Sequence, residues 1–155
     1  MQTLKTADLC DRLGADAQVC LAPMRSFGGR RAASGPIATV RAFEDAALVR
    51  QQLGQPGEGR ILVVDAGGLV RVAILGDNMA RLGAQNGWAG VLVNGAVRDV
   101  DALGQLAIAV FALGGVPARG GNAGVGEVGV ELRFGGIAFA PGRQVAMDSD
   151  GVVVF

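Results

Sequence analysis

The sequence predicts a layered α/β fold with a mixed sheet. Three observations carry that prediction. Through the middle of the chain, strand-length apolar runs alternate with short amphipathic segments, as in RILVVD, DNMARLGAQN and AGVLV. In the C-terminal third the helical period is lost and only short strand patterns remain, which argues against a purely doubly wound sheet. The 155 residues are half apolar and show no linker, repeat or low-complexity tract, so residues 1–155 are read as one compact domain with a single core.

Each element has its own signal. Thr6 to Leu13 reads as a short helix, with Thr6 or Asp8 placed to cap it and Gly14 to end it. An irregular glycine-rich connection follows. Pro36 to Phe43 alternates as a strand, and Asp45 to Leu53 reads as a helix ended by Gly54 and Pro56. Arg60 to Asp65 is a continuous apolar run of strand length, so a buried strand. Gly67 and Gly68 turn the chain into a strand at Leu69 to Leu75. Asp77 to Asn86 is a helix whose apolar side carries Met79 and Leu82.

Ala89 to Val93 is a second buried strand, Val100 to Leu106 a short helix, and Ile108 to Leu113 a strand. Residues 114–127 form a long glycine loop. Val128 to Phe134 alternates as a half-exposed strand. Short strands at IAF, QVAMD and Val152 to Phe155 close the chain, the last needing a partner to avoid an exposed apolar edge.

Composition removes many chemistries. The chain has no His and no Tyr, and Lys5 is the single lysine. A Ser-His-Asp triad, a Cys-His pair and a His-ligated zinc site are excluded within the chain. Lys5 lies too near the terminus to serve as a desolvated Schiff-base lysine. Proton transfer then falls to Asp, Glu, Arg, backbone amides, water or a metal. An all-oxygen donor set favours a hard cation, Mg²⁺ or Mn²⁺.

Fourteen basic and fourteen acidic residues cancel, so no nucleic-acid face or anionic membrane partner is expected. No apolar run is long enough to span a bilayer, and MQTLKTADLC has no apolar core of a secretory signal. Cys10 and Cys20 are expected as buried, reduced thiols in a cytoplasmic protein. The 26 glycines point to tight turns and close backbone approaches.

Two short motifs could do chemistry. Gly76-Asp77-Asn78-Met79 sits where a strand gives way to a helix. The amides of Asn78 and Met79, at the positive end of that helix, could hold a small carboxylate, and Gly76 would let the backbone come close. Alternatively Asp77 is only a helix cap. Arg98-Asp99 follows the strand AGVLVNGAV, where ligand sites of α/β folds lie. Arg98 could bind a ligand carbonyl and stabilise an enolate, and Asp99 could ligate a metal. A salt bridge for Arg98 and a helix cap for Asp99 are the structural alternatives. Asp65 could face the same site or cap a turn. Glu127 could be an acid or an arginine's partner. The glycine loop at 120–127 lacks the Gly-Lys-Ser/Thr ending of a phosphate loop and the GxGxxG spacing.

The stretch LGDNMARLGAQNGWAGVLVNGAVRDVDAL resembles the family of 4-hydroxy-4-methyl-2-oxoglutarate aldolases and regulators of ribonuclease activity A. TADLCDRLG, SGPIATVRAFEDAALV, RILVVDAGG, GVGEVGVELRFGGIAFAPG and DSDGVVV extend the likeness over nearly the whole chain. The resemblance implies a compact α/β/β fold of the swivelling β/β/α type and a ring-shaped homotrimer or a hexamer of paired trimers, with active sites at subunit interfaces. For the aldolases it implies divalent-metal cleavage of 4-hydroxy-4-methyl-2-oxoglutarate-like substrates to pyruvate, with oxaloacetate decarboxylation. For the regulators it implies binding and inhibition of ribonuclease E.

Carried onto this chain, the resemblance makes Asp99 the metal ligand, Arg98 the group at the keto oxygen, and Asn78 and Met79 the amides at the carboxylate. Asp77 would orient metal-bound water. The regulators lack an aspartate at the position of Asp99, so its presence favours the lyase. The chain ends at Phe155 without a match for the acidic residue that longer aldolases add from a neighbouring subunit. Oxaloacetate decarboxylation, which uses only the pyruvyl half of the site, is therefore the more direct expectation.

Overall fold

A computed structural model describes residues 4–155; the first three residues of the expected domain lie outside the described residues. Its centre is a block of four parallel strands: β3 (Ala33–Arg41), β4 (Ile61–Asp65), β6 (Gly90–Val97) and β7 (Ala109–Gly115). Antiparallel strands extend both edges. β2 (Arg25–Ser26) adds to β7, and β11 (Gln144–Asp148), β12 (Gly151–Val154) and β1 (Gln18–Val19) continue outward from β3. β5 (Ala73–Leu75) pairs with the far end of β6, and β8 (Glu127–Val128) with the end of β3. The mixed sheet is as expected, and β12 is paired on both sides.

Alternation along the central strands builds two cores. Leu62, Val64, Val91, Val93, Val110 and Ala112 point to one face. There they meet α2 (Ala47–Leu53), α3 (Asp77–Gln85) and α4 (Val100–Leu103) through Val49, Leu53, Met79, Ala80 and Leu103. Ile61, Val63, Leu92, Ala109 and Phe111 point to the other. The sheet curls so that β11 and β12 cover that face through Val145, Met147, Val152 and Val154. The hairpin of β9 (Leu132–Phe134) and β10 (Ile137–Phe139) completes the cover with Leu132 and Phe139. The layers are thus helix, sheet and sheet, and they explain why the buried strands read as unbroken apolar runs.

Several expectations are corrected. The strand at Leu69 to Leu75 forms only over Ala73–Leu75. Ala66 and Gly68 both donate to the Asn94 carbonyl, so the chain regains β6 only at Ala96. Leu69 and Val70 are left exposed. The strand at Val128 to Phe134 breaks in two at Gly129, whose φ of 78° turns the chain while its N–H donates to Thr39. Conversely, β6 runs on past Val93 to Val97, and a register shift against β7 lies between Val93 and Ala96. The helix at Val100 stops at Leu103, with Gly104 after it. Cys20 is buried and burial pushes its thiol pKa up; Cys10 is only half-buried, and neither forms a disulfide.

α1 (Thr6–Leu13) is not capped from within. Lys5 takes the cap position, and Thr6 instead donates through its N–H (2.8 Å) and its hydroxyl (2.6 Å) to the Asp148 carboxylate at the end of β11. This pair fastens the first helix to the last hairpin. Burial alone would raise the Asp148 pKa, but the Thr6 hydroxyl and the amides of Thr6, Asp150 and Gly151 outweigh it and hold the group below its usual range. A lowered folded pKa means that the clamp stabilises fully above the ordinary aspartate value of about 3.9. It is lost as pH falls through the lowered folded value. Asp148→Ala is expected to cost about 1–2 kcal/mol at neutral pH in urea unfolding. The gap to the unsubstituted protein should close as the acid limb of the stability curve is descended.

Candidate functional site

β5 and β6 lie parallel and end side by side. Gly76 leaves β5 and Arg98 leaves β6, linked by the Arg98 N–H donating to the Leu75 carbonyl at 3.0 Å. The two motifs singled out in the sequence are thereby brought into one cleft of about 370 Å³, within the range of small-ligand sites. Gly76, Asp77, Asn78, Met79, Arg98 and Asp99 all line it. The cleft lies beyond the carboxyl ends of parallel strands, where the open edge of an α/β sheet receives ligands.

Asp99 has φ 57° and ψ 42°, a left-handed conformation that costs a non-glycine residue about 1–2 kcal/mol. It holds the N-cap position of α4 but makes no side-chain cap there. Its carboxylate turns to the neighbouring helix instead, where the Asp77 N–H donates to Oδ2 at 3.2 Å. Arg98 Nε lies 3.9 Å from the same oxygen, a loose pair that leaves the guanidinium one-third exposed on the cleft. Gly76 is required by this approach: a Cβ there would stand 2.8 Å from Asp99 Oδ2. The helix-cap alternative for Asp99 is therefore not realised.

At the start of α3 the cap is Gly76, and Asp77 is the first helical residue. Asp77 Oδ1 accepts from the Asn78 N–H at 2.9 Å, and Oδ2 lies 3.8 Å from Arg81. Of the two amides predicted to hold a carboxylate, Asn78 is thus covered by a side chain of its own helix. The Met79 N–H has no protein partner among the described residues.

Two sequence candidates lie elsewhere. Asp65 is buried and caps a turn, accepting from the Gly67 N–H (2.8 Å) and from Asn94 Nδ2 (3.0 Å). Glu127 pairs with Arg41 at 3.1 Å. Sequence reasoning missed the opposite wall, made by Arg50, Arg119, Gly120, Gly121 and Asn122. Its signal was Asp45, placed at the start of a helix by the sequence but found just before it. Asp45 is 5% exposed and accepts from the amides of Ala47 (3.0 Å), Ala123 (2.7 Å) and Gly124 (3.2 Å). Burial alone would raise its pKa; the backbone amides, Val125 included, outweigh that and lower it. This one carboxylate ties the glycine loop to the start of α2.

Among the described residues, no three Cys, Asp or Glu side chains gather into a metal cage. The cleft is lined by two carboxylates, Asp77 and Asp99, and by no histidine or cysteine. Such a sparse, all-oxygen set fits a hard ion that keeps most of its water, as Mg²⁺ does, and Mn²⁺ shares that preference.

The Aldolase/RraA family model, described as RraA-like, matches residues 6–154. A protein of Aromatoleum aromaticum, provisionally named 4-hydroxy-4-methyl-2-oxoglutarate aldolase, is 47% identical over 97% of this chain and 94% of its own. A Geobacillus kaustophilus structure described as an S-adenosylmethionine:2-dimethylmenaquinone methyltransferase superposes with a TM-score of 0.95 at 47% identity, covering 97% and 94% of the two chains. The structure of the RNA-processing inhibitor RraA from Thermus thermophilis does so with a TM-score of 0.95 at 41% identity, covering 99% and 93%.

The glycine loop's dependence on Asp45 is directly measurable. Asp45→Ala is expected to speed amide hydrogen exchange at Ala123 and Gly124 by about tenfold or more and to cost about 2 kcal/mol of stability. Exchange across β4 and β6 should stay far slower than in that loop. Unchanged exchange at Ala123 and Gly124 would mean that Asp45 does not hold the loop.

Proposed function

The chain belongs to the RraA-like Aldolase/RraA family, and on that footing we propose that it is a divalent-metal-dependent carbon–carbon lyase that forms pyruvate through an enolate. Its substrates would be 4-hydroxy-4-methyl-2-oxoglutarate-like keto acids, with oxaloacetate decarboxylation as a further activity. One observation carries the proposal: Arg98 and Asp99 meet the amino end of α3 across a single cleft. A cation, a carboxylate and a free amide on one concave surface are the parts that an α-keto acid requires.

In this reading the substrate carboxylate lies against the start of α3, held by the Met79 amide and the partial positive charge of the helix end. If Asp77 turns from the Asn78 N–H toward water in the cleft, that second amide is freed for the same carboxylate. Arg98 donates to the keto oxygen. Its hydrogen bonds strengthen as charge gathers there, so they favour the transition state over the bound keto acid. Asp99 is the residue that would hold the divalent ion. When bound, the ion supplies Lewis acidity at the keto oxygen.

Cleavage of the hydroxy keto acid breaks the C3–C4 bond and sends its electron pair into an enolate. The C4 hydroxyl must lose its proton, and C3 must gain one to give pyruvate. Asp77, at the cleft's edge, is the carboxylate that moves those protons through water. With oxaloacetate, carbon dioxide leaves in place of the second keto acid and the enolate is the same.

A homotrimer or a pair of trimers is proposed on the footing of the family alone. Free Cys10 and Cys20 suit a reducing, cytoplasmic setting. A second reading rests on the likeness to the Thermus inhibitor over 99% of this chain: a regulator that binds and inhibits ribonuclease E. Asp99 favours the lyase. Methyl transfer has no counterpart in the sequence, which lacks a glycine motif of the kind that holds S-adenosylmethionine.

Pyruvate release from oxaloacetate, coupled to lactate dehydrogenase, tests the assignment. Mg²⁺-dependent turnover is expected, abolished by chelator and reduced about a hundredfold or more in Asp99→Asn. The variant is the necessary blank, because free metal decarboxylates oxaloacetate slowly. Equal rates for the two proteins would remove the lyase and make ribonuclease E binding the next measurement. Gly76→Ala should lower kcat/KM about tenfold or more with the fold intact, because the added methyl displaces Asp99.

A further inference from the structure

Three guanidinium groups border the cleft against two carboxylates, and the lyase mechanism uses only Arg98. Arg50 is committed within the wall, where its NH1 donates to Asn122 Oδ1 at 2.9 Å. Arg119 is different. It is exposed on the cleft, and among the described residues no carboxylate pairs with it.

Its backbone is nevertheless firmly placed. Arg119 bridges Ala73 of β5 in parallel, with the Ala73 N–H donating to Ala118 at 2.7 Å and the Gly120 N–H returning to Ala73 at 2.8 Å. Gly121 donates to Glu44 at 2.8 Å, and Asp45 holds the loop two residues further on. Gly120 fits flat against the Glu44 and Ala73 carbonyls, where a Cβ would come within 2.9 Å of the first. β5 therefore grips Arg119 at Ala73 and delivers Gly76 and the start of α3 from its other end. Both walls of the cleft are referred to one short strand, which fixes their separation.

We propose that Arg119 is the specificity residue for the second carboxylate of the substrate. The inference rests on the keto-acid reading and deepens it. The start of α3 takes the carboxylate next to the keto group, and Arg119, across the cleft, takes the distal one. The site would then select dicarboxylic keto acids over monocarboxylic ones of equal length. A planar guanidinium can take a carboxylate through two parallel hydrogen bonds, and an unpaired one loses no partner in doing so.

The test uses two unreactive ligands that differ only at the far end, 2-oxoglutarate and 2-oxopentanoate. Dissociation constants are measured by calorimetry with Mg²⁺ for the native protein, Arg119→Met and Arg119→Lys. The native protein should bind 2-oxoglutarate about fivefold more tightly, the equivalent of about 1 kcal/mol for an exposed ion pair. Arg119→Met should abolish the preference by weakening 2-oxoglutarate alone, and Arg119→Lys should restore part of it. Equal binding of the two ligands by the native protein, or a preference that survives Arg119→Met, overturns the assignment and leaves the keto-acid reading standing. Equal weakening of both ligands by Arg119→Met also overturns it. Binding of neither ligand removes the keto-acid reading and this inference together.

Discussion

The cleft depends on one pairing, that of β5 with the end of β6. Three residues of β5 lie beside Ala96 and Val97, and the Arg98 N–H closes the ladder on Leu75. That pairing makes two chain segments end together and leave the sheet in the same place. One carries a cation and a carboxylate; the other becomes a helix with its amide end facing them. The third wall is fixed to the same strand through Ala73. Moving β5 by one residue would turn its side chains to the opposite face and separate the walls.

The carboxylates near the cleft divide by what they face. Asp45 and Asp65 are buried and occupied with amides, so their charge holds turns in place. Glu44 is satisfied by a two-pronged contact with Arg71, which keeps its carboxyl pKa below the usual range. Asp77 and Asp99 border open space, and apart from the Asn78 N–H on Asp77 (2.9 Å) their contacts are long. A group that is incompletely satisfied by its own protein remains available to a ligand. The same contrast separates Arg41, Arg71 and Arg133, each paired with a glutamate, from Arg119.

Some stability is given up at the site. Asp99 occupies a left-handed conformation, and Glu44 does so next to the loop that Asp45 anchors. These strained positions are held by strands buried on both faces, whose side chains cannot move without opening one of two cores. The rigidity of the layers is therefore what maintains the geometry at the strand ends. The groups that line a cleft so held are already in place before any ligand arrives.

The local elements were legible because they follow from periodicity. RILVVD and AGVLV are apolar at every position because the strands are covered on both faces, and DNMARLGAQ shows one apolar side because α3 has one covered face. The pairing of Gly76-Asp77-Asn78-Met79 with Arg98-Asp99 was legible as two motifs at strand ends. Local signals failed where distant residues took over. Thr6 serves Asp148 instead of capping its helix, and the predicted strand at Leu69 loses its first residues because Asn94 was already occupied. Arg119 was not identified at all. Nothing within a glycine loop says which strand will hold it, and only the contacts with Ala73, Glu44 and Asp45 turn that loop into the opposite wall of the cleft. The sequence by itself determined the apolar strands, the short helices and the position of the two motifs at strand ends, because these rest on residue type and spacing. Only tertiary structure decided the third wall, because it rests on backbone hydrogen bonds that any sequence of small residues could have made elsewhere.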